Sequence, residues 1–168
     1  MRRIELRSKT ITNDHSPIRI FRDNWDRAKS LGDANAAYCT LATVAEDGQV
    51  SMRTLVLRDI DDQQFVVFVN STSEKWRQLK NSERCEMLVF WPTLMQQYRI
   101  RGTLQEIPLA SMAHHWAKKP YDSKLLDHFY RENHSQTSAI QSRSVLVNGI
   151  EQLKQRYPTA RDVPFPGN

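Results

Sequence analysis

Apolar residues recur every three or four positions after residue 16, with polar residues between them. These apolar positions are Ile18, Phe21, Trp25 and Ala28. Ser16 supplies a capping hydroxyl, Pro17 suits the first helical position, and Gly32 favours a helix end. The pattern predicts an amphipathic helix with one buried face.

The period then changes to that of β-strands. Five short segments are rich in β-branched and apolar residues: AAYCTLATV, QVSMRTLVLR, QFVVFVN, RCEMLVFW and QQYRIRGTLQEI. The stretches EDG and DIDD between the first three are typical of turns in antiparallel hairpins, and Pro92-Thr93 separates the last two. At least five strands close together in the chain predict an antiparallel, barrel-like sheet.

Helical spacing returns after the strands. One set of apolar positions is Leu109, Met112, Ala113 and Trp116, and a later set is Leu146, Ile150, Leu153 and Tyr157. Ser123 to Arg131 is predicted as a shorter helix, and Pro158 ends the last one. With no repeat or linker, residues 1–168 are expected to form one domain: an N-terminal helical segment (1–34), barrel strands (38–106) and a mostly helical part (108–158).

Composition agrees with a globular protein that has a sizeable core. The chain has 168 residues, of which 39% are hydrophobic and 26% charged. No apolar run approaches the ~20 residues that cross a bilayer, and the start MRRIELRSKT lacks the apolar block of a signal peptide, so we expect a cytoplasmic protein with no membrane partner. Cys39 and Cys85 lie in separate apolar segments without metal-type spacing and are expected to be buried free thiols.

The net charge of +5 is compatible with nucleic acid, an anionic surface or a phosphorylated small molecule as partner. The basic residues are interleaved with 19 acidic ones, and no aromatic-and-basic strand signature is present. We therefore expect no nucleic-acid partner, and a nucleic-acid-binding module stays the weaker alternative.

Several kinds of catalytic or metal site are disfavoured by spacing. The histidines at 114, 115, 128 and 134 lack the i, i+4 pairing that places two metal ligands on one helical face. Asp61 and Asp62 lie in a predicted turn, where solvated carboxylates are more common than a general acid and base. No metal site is expected.

Polar residues near one strand-to-helix junction suit an anion instead. In VNSTSEKWRQLKN, Ser73 and Lys75 lie at a predicted helix start, where free N–H groups and the helix dipole favour negative charge; an ordinary helix cap is the alternative. Arg53 and Arg58 lie five apart in a strand, so they are expected on opposite faces, and Gln97 adds an amide. Such groups suit a phosphorylated, planar, hydrogen-bonding ligand.

These stretches, in order, resemble the pyridoxine/pyridoxamine 5′-phosphate oxidase family of FMN-binding split barrels. The resemblance runs from about Tyr38 to Pro166 through LATVAEDGQVSMRTLVLR, FVNSTSEKWRQLKNSERCEMLVFW, TLMQQYRIRG, KKPYDS, SQTSAIQSR and LKQRYPTARDVPFP. It implies a mainly β fold with flanking helices, namely an antiparallel FMN-binding split β-barrel. It also implies a homodimer with the cofactor at the subunit interface.

The resemblance assigns roles to residues at matching positions. FMN binding falls on Arg53, Thr54, Leu55, Val56, Leu57, Arg58, Phe68, Val69, Ser73, Lys75, Gln97, Gln136 and Thr137. Among these, Arg53, Ser73 and Lys75 stand where the family contacts the flavin phosphate. Substrate binding falls on Arg58, Lys119 and Ser123. The catalytic residues stay unassigned.

The sequence also departs from the family pattern. Arg58 replaces a lysine, Glu74 a phosphate-binding arginine, Val69 a common threonine, and His115 and Lys119 a tyrosine and an arginine of the substrate site. The sequence ends at VPFPGN, before the family's last flavin and substrate residues. We therefore expect an FMN-binding flavoprotein and oxidoreductase with an altered or missing substrate-binding C-terminus. The alternative is a flavin or haem carrier without turnover.

Overall fold

The computed structural model describes residues 2–7, 16–60, 64–82, 84–106, 112–132 and 134–166. Within these ranges the strands are β1 Arg2–Arg7, β2 Tyr38–Val44, β3 Val50–Ile60, β4 Gln64–Val69, β5 Arg84–Trp91 and β6 Gln96–Glu106. The helices are α1 Pro17–Ser30, α2 Glu74–Ser82, α3 Ala113–Ala117, α4 Tyr121–Glu132 and α5 Arg143–Arg156. The predicted turn at Asp61 and Asp62, and the predicted helical position Leu109, lie outside the described residues.

The chain divides into two compact units. The barrel unit comprises Arg3–Phe68 and Arg77–Glu106, and the helical unit comprises Met1–Arg2, Val69–Trp76 and Ile107–Asn168. The single domain expected from the sequence stays a prediction.

In the barrel unit, the strands form a closed barrel in the order β1-β4-β3-β2-β5-β6. The predicted antiparallel hairpins are confirmed, since β3 pairs antiparallel with both β2 and β4 and β5 pairs antiparallel with β6. Alternate residues of β2 and β5 are buried, as expected for strands with one face on a core. The hydrophobic alternation therefore indicates which face of these two strands lies against the core.

Helix α1 packs its predicted face inward. Its buried residues are Ile18, Phe21, Trp25 and Ala28. The Phe21 ring lies 4.9 Å from the rings of Phe65 and Trp91, and Trp25 Nε1 donates a hydrogen bond to Ala36 O at 2.6 Å. Ser16 occupies the N-cap position, but its side chain makes no capping hydrogen bond, so that part of the prediction is wrong. Gly32 follows the helix with φ of +68°, a left-handed conformation that glycine adopts without strain.

The helical unit contains α3, α4 and α5. Helix α4 is longer than predicted, and α5 ends at Arg156, just before Pro158, as predicted. Trp116 in α3 and Phe129 in α4 are nearly fully buried. None of the helices within the described ranges has the length and apolar character needed to cross a membrane.

Both cysteines are buried and free, as predicted. Burial raises the pKa of the Cys39 thiol to about 12 and that of the Cys85 thiol to about 11. Because the thiolate is the reactive form, neither residue is suited to nucleophilic chemistry.

Candidate functional site

The start of α2 is organised by the hydroxyl of Ser73. This side chain is fully buried; its Oγ donates a hydrogen bond to Asn70 O at 2.7 Å and accepts one from the Trp76 N–H at 3.4 Å. Ser73 therefore caps the first turn, which is the ordinary role that the sequence left open. The neighbouring Glu74 is exposed.

Lys75 is buried beside this cap, with only 8% of its surface exposed. Its Nζ donates a hydrogen bond to Gln136 Oε1 at 2.8 Å, although the two residues lie 61 positions apart in the chain. A lysine ammonium group donates charge-assisted hydrogen bonds to phosphate oxygens, so its position beside a helix start suits an anionic ligand.

Two residues that sequence reasoning missed fix Gln136 in place. The Gln136 N–H donates to Thr72 Oγ1 at 3.1 Å, and the Thr72 hydroxyl donates to Asn70 Oδ1 at 2.7 Å. The Thr72 N–H also donates to Asn70 Oδ1, which is an Asx turn, and the Asn-x-Thr spacing could have indicated it. We call Asn70, Thr72, Ser73, Lys75 and Gln136 the Lys75 cluster; all of it lies in the helical unit.

Thr137, next to Gln136, has a strained backbone. Its φ is +83°, a region that β-branched residues rarely adopt. Strain of this kind persists where surrounding contacts impose it, and it is frequent at ligand-binding positions. The side chain is exposed, so a ligand could reach it.

Arg53 in β3 lies among polar groups of the barrel unit. Its Nη1 donates to Thr43 Oγ1 at 2.5 Å and to Ser51 O at 3.1 Å, and its Nη2 donates to Gln78 Oε1 at 3.4 Å. Thr43 also donates a hydrogen bond to Gln78, at 2.5 Å. We call Thr43, Arg53 and Gln78 the Arg53 cluster. Thr43 and Gln78 were not identified from the sequence.

The rest of the RTLVLR strand is only partly regular. Thr54 is exposed, Leu55 and Val56 are half-buried and Leu57 is buried. The pairing of β3 with β4 shifts register between Leu57 and Asp59. The prediction that Arg53 and Arg58 lie on opposite faces assumed a regular strand, so it does not hold across this shift.

The candidate flavin residues beyond that strand differ in exposure. The Arg58 guanidinium carbon lies 5.8 Å from the centre of the Phe68 ring, a cation–π distance. Val69 is buried, whereas Gln97 is exposed opposite Phe90 in the β5–β6 ladder. A ligand in this chain could therefore touch Gln97 but not the Val69 side chain without rearrangement.

Two of the three candidate substrate residues, Lys119 and Ser123, lie just before and in α4, whereas Arg58 lies in β3. Lys119 is buried and its Nζ forms an ion pair with Asp127. A substrate phosphate at Lys119 would have to compete with this carboxylate. Ser123 is half-buried in the first turn of α4.

Within the described ranges, no three His, Cys, Asp or Glu side chains come together in a way that could hold a metal ion. The donors of both clusters are hydroxyls, amides and cations, which suit an oxyanion rather than a metal.

The sequence matches a known protein family. The model described as pyridoxamine 5′-phosphate oxidase matches residues 34–157. A pyridoxine/pyridoxamine 5′-phosphate oxidase of Rhodopirellula baltica is 30% identical over 129 residues, which are 77% of this chain and 56% of that protein. One from Gloeothece citriformis is 35% identical over 127 residues, 76% of this chain and 57% of that protein. The chain thus spans little more than half the length of these relatives.

Solved structures show the same fold. PhzG from Burkholderia lata 383, in complex with tetrahydrophenazine-1-carboxylic acid, superposes with a TM-score of 0.77 at 21% identity, covering 94% of this chain and 73% of that one. A pyridoxamine 5′-phosphate oxidase-related, FMN binding protein from Nostoc punctiforme superposes with a TM-score of 0.65 at 21% identity, covering 80% of this chain and 73% of that one. The predicted fold class, an antiparallel split barrel with flanking helices, is confirmed.

Proposed function

Since this chain belongs to the pyridoxamine 5′-phosphate oxidase family, we propose that it is an FMN-binding flavoprotein that acts as an oxidoreductase. Bound FMN would supply hydride and electron-pair transfer, while the protein holds and tunes the ring. The proposal covers the cofactor and the reaction class. The family alone does not select a substrate.

The observation that carries the proposal is the Lys75 cluster. A buried ammonium group lies one residue after the N-terminus of α2, and its Nζ donates a hydrogen bond to the amide oxygen of Gln136. The first turn of a helix also presents N–H groups to anions. Lys75 would hold the flavin phosphate, and Gln136 with the strained Thr137 would lie beside it. Ser73 would shape the turn, because its buried hydroxyl already donates a hydrogen bond to Asn70 O.

Arg53, in the barrel unit, is a second candidate for binding phosphate. Its guanidinium can hold phosphate oxygens in a fixed, forked geometry. Arg53 donates hydrogen bonds to carbonyl, hydroxyl and amide oxygens, which orient the guanidinium group. Single substitutions of Arg53 and of Lys75 test the contribution of each residue to FMN binding separately.

We further propose that the protein is a homodimer with FMN at the subunit interface. The outward side of β2 and β3 carries the apolar pairs Ala42–Met52 and Val44–Val50, with Met52 63% and Val50 59% exposed. An antiparallel sheet that faces water usually alternates to polar residues on that side. An apolar exposed side is instead typical of an interface.

The test measures which flavin the protein binds and through which group. Native protein should carry FMN, identified by its visible spectrum and by mass spectrometry of the released ligand. Lys75→Met should weaken FMN binding by at least about tenfold, because charge-assisted hydrogen bonds contribute about 1.5–3 kcal/mol each. Riboflavin, which lacks the phosphate, should bind the wild type and the variant equally well.

Lys80→Met is the matched control, because Lys80 lies in the same helix but is exposed and paired with Glu106. It should leave both affinities within about twofold. Equal loss of FMN and riboflavin in Lys75→Met would overturn the assignment of the phosphate. A haem Soret band in place of flavin peaks would favour the carrier alternative.

A further inference from the structure

We propose that Thr43 and Gln78 are positioning residues that fix the guanidinium of Arg53 in the orientation in which it binds the phosphate of the ligand. This inference rests on the proposed function. It adds to that function the hydrogen-bond network of Thr43 and Gln78, which would act on the ligand through Arg53. The ligand group concerned is a phosphate monoester, as in FMN.

The geometry places both residues against the guanidinium from different elements. Thr43 comes from β2 and Gln78 from α2, and each accepts a hydrogen bond from one terminal nitrogen of Arg53. The Thr43 hydroxyl also donates to Gln78, which closes a triangle of three hydrogen bonds. Two contacts to different nitrogens fix the plane of the group as well as its position.

Burial makes this triangle rigid. Thr43 is 0% and Gln78 is 4% exposed, so water competes little for their hydrogen bonds. An arginine side chain has several rotatable bonds, and ordering it on binding would cost affinity. Arg53 is ordered before the ligand arrives, and that cost is removed from the binding step.

The chemical type of the two acceptors is also significant. A hydroxyl and an amide orient the cation and keep its net charge, whereas a carboxylate in the same place would orient it and cancel the charge. A buried threonine in a strand could be replaced by valine at nearly the same volume. A polar group there is costly to bury unless it is hydrogen-bonded, and its partners here are Arg53 and Gln78.

The experiment compares the ratio of FMN to riboflavin affinity among variants of the full chain. Gln78→Met and Thr43→Val should each lower this ratio by about tenfold, since each loses a hydrogen bond that orients the charged group. Gln78→Glu keeps an acceptor but adds a negative charge, so it should lower the ratio at least as much without lowering the melting temperature. Gln105→Met, at an exposed position of β6, should leave the ratio unchanged.

A double-mutant cycle separates positioning from general destabilisation. In an Arg53→Met background, Gln78→Met should change the ratio by less than about twofold, because the group that it orients is gone. A full tenfold effect in that background would overturn the inference. So would an unchanged ratio in both Gln78→Met and Thr43→Val when Arg53→Met alone lowers it, a result that leaves the proposed function intact.

The affinities of the wild-type protein show whether a phosphate site exists at all. If wild-type protein binds FMN no more tightly than riboflavin, no phosphate site exists, and both the proposed phosphate assignment and the positioning role are wrong. If Gln78→Met does not fold, Thr43→Val alone decides, because it preserves volume and removes only the hydroxyl.

Discussion

Gly149 shows how a single residue can be fixed by its neighbour. It lies within α5, where glycine costs about 1 kcal/mol relative to alanine. A Cβ at this position would lie 2.5 Å from Cε2 of Phe129, a buried ring of α4. The close approach of the two helices therefore requires the absence of a side chain.

Gly149→Ala is expected to lower the free energy of unfolding by about 1–3 kcal/mol, despite the better helix propensity of alanine, because the Phe129 ring would have to move within a packed interior. Denaturant unfolding measures the change. Asn148→Ala, at the exposed neighbouring position, is the matched control and should be neutral or slightly stabilising. A Gly149→Ala protein as stable as the control would show that Phe129 relaxes freely.

Among the elements, α3 and α4 together hold the segment from Ala160 to Pro164. Trp116 Nε1 donates to Val163 O at 3.2 Å, Lys124 Nζ to Ala160 O at 2.8 Å, and His128 Nε2 to Pro164 O at 2.9 Å. All three donor side chains are buried. An irregular segment can pack here because its carbonyls find partners in helices.

Trp116→Phe should weaken this attachment. The substitution removes the donor to the carbonyl of the buried Val163 and part of a buried ring. The free energy of unfolding should therefore fall by about 1–3 kcal/mol. Amide hydrogen exchange should then quicken for residues 159–166. Trp25→Phe removes the analogous bond to Ala36 in the barrel unit and should quicken exchange there instead. Identical exchange patterns for both variants would contradict the attachment described here.

For the whole molecule, the proposed dimer has a specific consequence. Neighbouring strands β2, β3 and β5 carry four exposed apolar residues, which are Tyr38, Val50, Met52 and Phe90. Gln97, which the family resemblance assigns to flavin, pairs with Phe90. If this side is the subunit interface, dimerisation and flavin binding should be linked.

Met52→Asp should shift the protein from dimer to monomer and release FMN at the same concentrations, because a carboxylate would be buried without a partner. Sedimentation velocity with simultaneous flavin absorbance measures both. Ile20→Asp changes an exposed apolar residue of α1, 45% exposed, and should leave the dimer intact. A monomeric wild type that retains flavin on dilution would refute the proposal.

The sequence determined most of the fold because its signals are local. The spacing of Ile18, Phe21, Trp25 and Ala28 indicated the buried face of α1, and turn residues with alternating strands indicated the antiparallel hairpins. Strands and helices repeat every two and 3.6 residues, so a short segment of sequence is enough to reveal their buried faces. Family resemblance then added candidate residues, including Arg53, Lys75 and Gln136.

Only the tertiary structure decided how those residues are held. Three sets of contacts join side chains from separate parts of the chain: Lys75 with Gln136, Arg53 with Thr43 and Gln78, and Lys119 with Asp127. The register shift beside Arg58 likewise depends on the partner strand. A buried polar group must find a partner, but the chain's local pattern does not specify which distant residue provides it, because that choice follows from how the elements pack.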